Sequence, residues 1–295
     1  MEQTHWLIDS FVSIQDSNAI ISNDKVYSYK NLYDKIFEIK GLLSKNHIQK
    51  GDVVAIVSDY SFESIALLLA LSDNKNIIVP ISSKVQASID EKIETAYCDK
   101  VVYVENGVFS ITCREVVSKH DMIRELQNIS HSGLILFSSG STGKPKAMIH
   151  DLDNLINTYK DKKKKSMNML LFLMFDHIGG LNTLFNILSI GSTMIIPNGR
   201  EVDEICSLIE KYKISILPSS PTFLNLILMS SSHTKYDMSS LRMITYGTEA
   251  MPSSLLERLK DAFPKAKLLQ TFGTSETGIA TDRKSTRLNS SHRIR

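Results

Sequence analysis

The chain has 295 residues, of which 42% are hydrophobic and 22% charged, a balance typical of a globular protein with one large domain or two. Five of its 34 basic and one of its 32 acidic residues lie in residues 282–295, which leaves residues 1–281 with a net charge of −2 and argues against a nucleic-acid partner. The N-terminus has no basic segment before an apolar core, and the apolar runs at 65–71 and 167–175 are too short to span a bilayer, so we expect neither a signal peptide nor a membrane span.

The remaining compositional features favour a reduced, cytoplasmic protein. Cys98, Cys113 and Cys206 are widely spaced and odd in number, and their spacing matches no metal-ligand cluster. The lysine run 162–165 is interpreted as a solvated loop or helix end.

The first half of the chain alternates helices with buried strands. Apolar residues at helical spacing, from Leu32 to Leu43, predict a helix, and Gly51-Asp52 turns the chain into a strand. Residues 105–132 are interpreted as a polar connection without chemistry. The predicted elements are a strand at 53–57, a helix at 63–71, a strand at 77–81, a helix at 85–96 and a strand at 100–104.

The second half continues the alternation, with Asp151 or Asp153 as the N-cap of its first helix. Predicted strands are 134–137, 169–174, 193–197, 214–217, 241–246 and 267–270, and predicted helices are 152–159, 175–188, 201–212, 221–229 and 252–263. The pattern predicts an α/β fold of doubly wound, mostly parallel sheets with helices on both faces, with ligands at the carboxyl ends of the strands. We predict two α/β subdomains, residues 1–132 and 133–281.

The segment from residue 134 to residue 150 carries the strongest functional signal. An apolar strand leads into a loop of small hydroxyl residues and glycines, followed by paired lysines. Such a loop suits an anion, because glycines let backbone N–H groups approach phosphate oxygens and lysines supply charge. A P-loop is excluded, because Ser138 replaces its first glycine and Pro145 its magnesium-binding hydroxyl. The candidate phosphate-binding residues are Ser138, Ser139, Gly140, Ser141, Thr142, Gly143, Lys144 and Lys146.

The nine residues 138–146 resemble the phosphate loop of the adenylate-forming superfamily, which includes acyl- and aryl-CoA synthetases, peptide-synthetase adenylation domains and firefly luciferase. They match its pattern [ST]-[ST]-G-[ST]-T-G-x-P-K throughout, while Ala147 departs from a usual glycine. The resemblance implies the large N-terminal domain of these enzymes without their C-terminal lid.

Three further stretches fit the same resemblance. Residues 271–276, TFGTSE, match the aromatic-G-x-[TS]-E motif, which implies that Phe272 stacks on adenine, Ser275 donates to the α-phosphate and Glu276 holds Mg²⁺; Thr271, Gly273 and Thr274 complete the nucleotide site. From the residues alone, a helix N-cap cluster remains open there. The turn Gly247, Thr248, Glu249 and Ala250 resembles the family's adenine-binding turn, and an ordinary loop is the alternative. His177, within residues 175–180, matches a family position near the bound carboxylate. The alternative is that this histidine is purely structural.

The resemblance implies a ligase that uses ATP and Mg²⁺ to activate a small-molecule carboxylic acid as an acyl-adenylate. Thr142, Lys146, Glu276 and His177 would serve the reaction, and coenzyme A or a pantetheine group on an acyl-carrier protein would accept the acyl group. Coenzyme A is favoured, because the phrases 177–180 and 246–251 resemble acyl-CoA synthetases. Apolar residues around Phe223 and Leu224 permit a fatty or aryl acid. A carrier-loading adenylation domain and a non-catalytic nucleotide- or acyl-binding module remain alternatives.

The end of the chain looks foreign. Residues 282–292 resemble a translated sequencing adapter, so we interpret residues 282–295 as an artefact, with a natural basic tail as the alternative. The family's ribose-binding aspartate and catalytic lysine would then lie beyond this chain. We therefore expect the fragment by itself to bind nucleotide poorly and to form adenylate slowly if at all.

Overall fold

The computed structural model describes residues 5–139, 145–247, 249–271, 273–274 and 278–279. Its helices are α1 Trp6–Val12, α2 Tyr29–Lys45, α3 Phe62–Asp73, α4 Gln86–Thr95, α5 Asp121–Asn128, α6 Leu152–Asn157, α7 Ile178–Ile190, α8 Val202–Tyr212, α9 Pro221–Met229, α10 Ser232–Lys235 and α11 Ser253–Ala262. Its strands are β1 Asn18–Ser22, β2 Lys25–Ser28, β3 Val53–Val57, β4 Ile77–Ile81, β5 Lys100–Glu105, β6 Val108–Cys113, β7 Gly133–Ser139, β8 Pro145–Asp151, β9 Asn168–Leu170, β10 Thr193–Ile196, β11 Ile216–Ser219, β12 Met243–Tyr246, β13 Lys267–Gln270, β14 Gly273–Thr274 and β15 Gly278–Ile279.

Two large, mostly parallel sheets organise these elements. The seven-stranded sheet has the order β13-β12-β11-β9-β10-β1-β2, and all its pairs are parallel except the hairpin of β1 and β2. The six-stranded sheet has the order β6-β5-β3-β4-β7-β8, with antiparallel pairs at its two edges. The predicted fold class is confirmed.

Helices cover both faces of the sheets because successive side chains along the strands point to opposite faces, and both faces are buried. In β3, Val54 and Ile56 face a central core shared with α2, α3 and α7, while Val53, Ala55 and Val57 face an outer core with α4 and α5. A third core packs the outer face of the seven-stranded sheet against α8, α9 and α11. Helix α3 lies in the central layer, which explains why its sequence is apolar nearly all round.

Both sheets draw strands from both halves of the chain. Strands β7 and β8 join the sheet that contains β3 to β6, whereas β1 pairs with β10, with Ile20 opposite Met194. The predicted subdomains 1–132 and 133–281 therefore do not coincide with the two sheets, and that division stays a prediction. The lysine run 162–165 is exposed, which fits its interpretation as a solvated segment.

Candidate functional site

The candidate site lies where the carboxyl ends of the two sheets meet. Asp176, which follows β9 of the seven-stranded sheet, accepts a hydrogen bond from the hydroxyl of Ser82, which follows β4 of the six-stranded sheet (2.7 Å). Arg200, after β10, forms an ion pair of 2.7 Å with Asp59, after β3. These contacts place the carboxyl ends of both sheets at one edge of the molecule, where parallel α/β folds bind ligands.

The predicted phosphate loop closes the hairpin between β7 and β8. Ser138 pairs with Lys146 and Ser139 with Pro145 in the antiparallel register, so the ends of the loop are fixed by the sheet. The apolar residues of β7 are buried, which anchors this hairpin in the core, while Lys146 is exposed. Gly140, Ser141, Thr142, Gly143 and Lys144 lie outside the described residues, so their predicted contacts with phosphate stay predictions.

The two motifs of the predicted adenine site are in direct contact. The backbone N–H of Thr271 donates to the carbonyl of Tyr246 at 2.8 Å, next to Gly247. A Cβ atom on Gly247 would lie 2.7 Å from the carbonyl oxygen of Thr271, closer than a side chain tolerates. Glycine is therefore required at this turn by a close backbone approach. Thr248, Phe272 and Ser275 lie outside the described residues.

Glu249 holds the start of a neighbouring helix. Its carboxylate accepts hydrogen bonds from the backbone N–H (3.1 Å) and the hydroxyl (2.6 Å) of Thr222, in the first turn of α9. The carboxylate thus satisfies a backbone donor that has no partner within the helix. Its predicted role in nucleotide binding stays a prediction, as does that of Ala250, which is exposed.

His177 is exposed at the N-terminus of α7, and its ring does not cap that helix. The backbone at His177 is extended, with φ −120° and ψ 143°, and its carbonyl accepts from Gly180 N–H at 3.0 Å. The predicted helix start at residue 175 was three residues too early. Gly273–Thr274 lies alongside α7, so the helix that begins after His177 also borders the predicted adenine motif.

Sequence reasoning missed Asp176, the residue before His177. Its buried carboxylate accepts hydrogen bonds from both the hydroxyl and the backbone N–H of Ser82 and forms an ion pair of 3.2 Å with Lys92. Burial acts to raise the pKa of this carboxyl, but the Ser82 hydrogen bonds and the Lys92 charge outweigh burial, so the pKa lies below its usual value. The sequence signal was an acidic residue inside an otherwise apolar segment.

The surroundings bear on the other predicted ligands. No group of three or more histidine, cysteine, aspartate or glutamate side chains among the described residues could hold a metal, and Glu276, the predicted Mg²⁺ ligand, lies outside them. Leu224 is fully buried in the third core, whereas Phe223 is half-buried and packs against Phe172 at 5.0 Å between ring centres. A cavity of about 390 Å³, lined partly by Phe172 and Arg200, opens at the same edge.

Two further predictions concern membrane spans and the cysteines. Within the described part of the chain, no helix is both long and apolar enough to cross a bilayer. All three cysteines are free, and burial raises the pKa values of the Cys98 and Cys206 thiols to about 12. These two thiols are therefore poor nucleophiles.

Comparison with known proteins agrees with this architecture. The family described as AMP-binding enzyme matches residues 125–294, more than half of the chain. A 2-succinylbenzoate–CoA ligase of Bacillus pumilus is 23% identical over 94% of this chain and 60% of its own length. Bacitracin synthase 2 of Bacillus licheniformis is 22% identical over 88% of this chain and 11% of its own length. The chain thus spans less than two thirds of each of these relatives.

Solved structures show the same fold. The N-terminal subdomain of Klebsiella oxytoca NpsA in complex with 3-hydroxyanthranilyl-AMSN has a TM-score of 0.78 at 20% identity, over 94% of this chain and 74% of that one. The luciferase-like enzyme of the nonluminescent Zophobas morio mealworm has a TM-score of 0.76 at 22% identity, over 93% of this chain and 72% of that one.

Proposed function

Because the chain belongs to the AMP-binding enzyme family, we propose that it takes part in the ATP-dependent activation of a carboxylic acid, followed by transfer of the acyl group to the thiol of coenzyme A. The observation that carries the proposal is the loop of residues 138–146. The two ends of this loop are paired in the β7–β8 hairpin, Ser138 with Lys146 and Ser139 with Pro145, at the carboxyl end of β7 in the six-stranded sheet. The Gly247–Thr271 contact lies at the carboxyl edge of the other sheet.

In the first step, a carboxylate oxygen attacks the α-phosphorus of ATP, a new O–P bond forms, and the bond to pyrophosphate breaks. Both reactants are anions, so the step needs cations and fixed donors where negative charge gathers. Lys144 and Lys146, with the loop amides and Thr142, would hold the β- and γ-phosphates. Glu276 would hold Mg²⁺, since a carboxylate is the ligand type that this ion prefers.

The remaining predicted residues would orient the two reactants. Phe272 would stack on adenine beside the Gly247–Thr271 contact, and Ser275 would donate to the α-phosphate. His177, exposed at the N-terminus of α7, would lie near the acid, where the helix dipole also favours negative charge. In the second step, the thiol loses its proton to solvent, its sulfur attacks the acyl carbonyl, a thioester forms, and AMP leaves with the electrons of the broken C–O bond.

The test is exchange of labelled pyrophosphate into ATP, with separate pools of aryl, fatty and amino acids. The 295-residue chain should support exchange that depends on both an acid and Mg²⁺, at a low rate that needs long incubation. Lys146→Met should abolish the signal. Lys163→Met, which removes an exposed lysine from the 162–165 run, is the matched control and should retain it.

Three results separate the alternatives. Exchange in the wild type no greater than in Lys146→Met would overturn the proposal, and ATP binding without exchange would favour a non-catalytic nucleotide-binding module. Exchange supported by amino acids, with transfer to a pantetheine-bearing carrier protein instead of coenzyme A, would favour an adenylation domain, a possibility supported by the similarity to bacitracin synthase 2.

A further inference from the structure

The two halves of the proposed site belong to different sheets. The phosphate loop extends from β7 of the six-stranded sheet, whereas His177, Gly247 and Thr271 follow strands of the seven-stranded sheet. The sheets pack through an apolar central core, and apolar packing is not directional. Directional contacts at the carboxyl edge are therefore needed to set the distance between the two halves.

Among the described residues, two ion pairs join the two sides of this edge: Lys92 of α4 with Asp176 after β9, and Arg200 after β10 with Asp59 after β3. They differ in surroundings. The Lys92–Asp176 side chains are 15% and 9% exposed, whereas the Arg200–Asp59 side chains are 39% and 42% exposed. An ion pair withdrawn from water is screened much less than an exposed one. The Lys92–Asp176 pair is therefore the stronger determinant of how the sheets meet.

The Lys92–Asp176 pair also touches both halves of the site. Asp176 directly precedes His177, so its position fixes the start of α7. The Lys92 ammonium lies 5.6 Å from the centre of the Phe137 ring, within the range of a cation–π contact, and Phe137 directly precedes the phosphate loop. One lysine thus contacts the segment before His177 and the segment before Ser138.

We infer that Asp176 is a positioning residue, which acts through Lys92 and Ser82 to fix the His177 segment of one sheet against the phosphate-loop hairpin of the other. Its buried carboxylate accepts hydrogen bonds from Ser82 and forms an ion pair with Lys92. It therefore acts on the site through these two neighbours. The effect of Asp176 on catalysis rests on the proposed function. The contact between the two segments is independent of that function.

The experiment compares four variants of the 295-residue chain: Asp176→Asn, Lys92→Met, Lys92→Arg and, as matched control, Asp59→Asn in the exposed inter-sheet pair. Amide hydrogen exchange is followed by mass spectrometry in residues 133–139 and 171–180. Binding of MgATP is measured by calorimetry at millimolar nucleotide. Asp176→Asn and Lys92→Met should speed exchange in both segments and weaken ATP binding about tenfold or more, because a small displacement of site groups has large effects.

The conservative variant and the control give the inference its specificity. Lys92→Arg keeps the charge over Phe137 and beside Asp176, so it should retain wild-type exchange at 133–139 and wild-type ATP affinity. Asp59→Asn should leave both readouts unchanged. If Asp176→Asn does not fold, Lys92→Met gives the same test, because Asp176 keeps its hydrogen bonds from Ser82.

Unchanged exchange at 133–139 in both Asp176→Asn and Lys92→Met would overturn the inference. So would an equal loss of ATP affinity in Asp59→Asn, because the effect would then reflect general destabilisation. If the wild-type chain binds no ATP, the proposed function is at fault, whereas the exchange data still decide whether the two segments are coupled.

Discussion

Replacing Gly180 with alanine should damage the segment that carries His177. Gly180 is buried in the first turn of α7, where a Cβ atom would lie 2.1 Å from the carbonyl oxygen of Met174 and 3.0 Å from that of Leu173. The Tyr60 hydroxyl would be 2.8 Å away. Two of these atoms belong to the backbone and cannot rotate aside, so the segment before His177 would have to move.

The expected loss of stability follows from two opposing effects. Forcing an extra methyl group into a packed interior costs about 1–3 kcal/mol, and a backbone clash places Gly180→Ala at the upper end of that range. Alanine in place of glycine within a helix returns about 0.5–1 kcal/mol. We therefore expect the free energy of unfolding to fall by about 2 kcal/mol.

Gly179 supplies the matched control, because it lies one residue earlier in the same helix turn. A Cβ atom there has Leu173 Cδ1 as its nearest neighbour at 3.7 Å, an ordinary contact. Gly179→Ala should therefore raise the free energy of unfolding by about 0.5–1 kcal/mol. Urea unfolding followed by far-ultraviolet circular dichroism measures both variants. The reasoning is refuted if Gly180→Ala is as stable as Gly179→Ala.

Three other perturbations test single contacts. The Tyr60 hydroxyl is buried and has no hydrogen-bond partner among the described residues, so Tyr60→Phe should raise the free energy of unfolding by about 1 kcal/mol; a loss of stability in urea would mean that the hydroxyl has a partner. The pKa of Asp176 is lowered from 3.8, so its stabilising contribution is present above that pH and is lost as the pH falls through the folded-state pKa. The difference in melting temperature between wild type and Asp176→Asn should therefore narrow as the pH falls below 3.8, and a constant difference would contradict this assignment. Glu249→Ala should cost about 0.5–1 kcal/mol by removing the acceptor for the Thr222 N–H, while Glu249→Gln keeps an acceptor; equal urea midpoints for the two variants would argue against the helix-capping role.

Elements with a strong apolar period and clear end signals could be predicted from sequence. Helix α9 was predicted with its observed bounds, 221–229, because Pro221 suits the first helical position and the apolar residues after it follow a helical period. Strand β13 was also predicted with its observed bounds, 267–270.

Edge elements were missed because their sequences carry little apolar signal. Residues 105–132 were predicted to be a polar connection, but they contain β6 and α5. Strand β6 is exposed or half-buried throughout, as an antiparallel edge strand can be, and α5 has one buried residue, Ile123. Strand β8 was missed for the same reason, since its described side chains are half-buried or exposed. The prediction therefore passed from the phosphate loop to a helix without the strand between them.

The pairing of strands that are distant in the sequence could not be predicted from local patterns. Strand β1 lies beside β10, with Ile21 opposite Ile195, and no periodicity within either strand specifies the other as its partner. The residue types of the candidate site were predicted because small hydroxyls, glycines and lysines suit a phosphate group, and their role stays a prediction. Which loops meet could not, because that depends on contacts between sheets.

The segment before α7 shows why local patterns misplace such a site. Residues 175–177 were predicted to begin the helix that continues to residue 188. In the structure Phe175 packs edge-on against Tyr60 at 4.9 Å, Asp176 binds Ser82, and Gly180 allows the carbonyls of the preceding turn to approach. These contacts hold the segment in a turn, closed by the His177 N–H donating to the Met174 carbonyl at 3.2 Å, and present His177 at the edge where the two sheets meet. The local helical preference is thus overridden by three contacts made within and across the sheets, at the position where the proposed chemistry needs a fixed side chain.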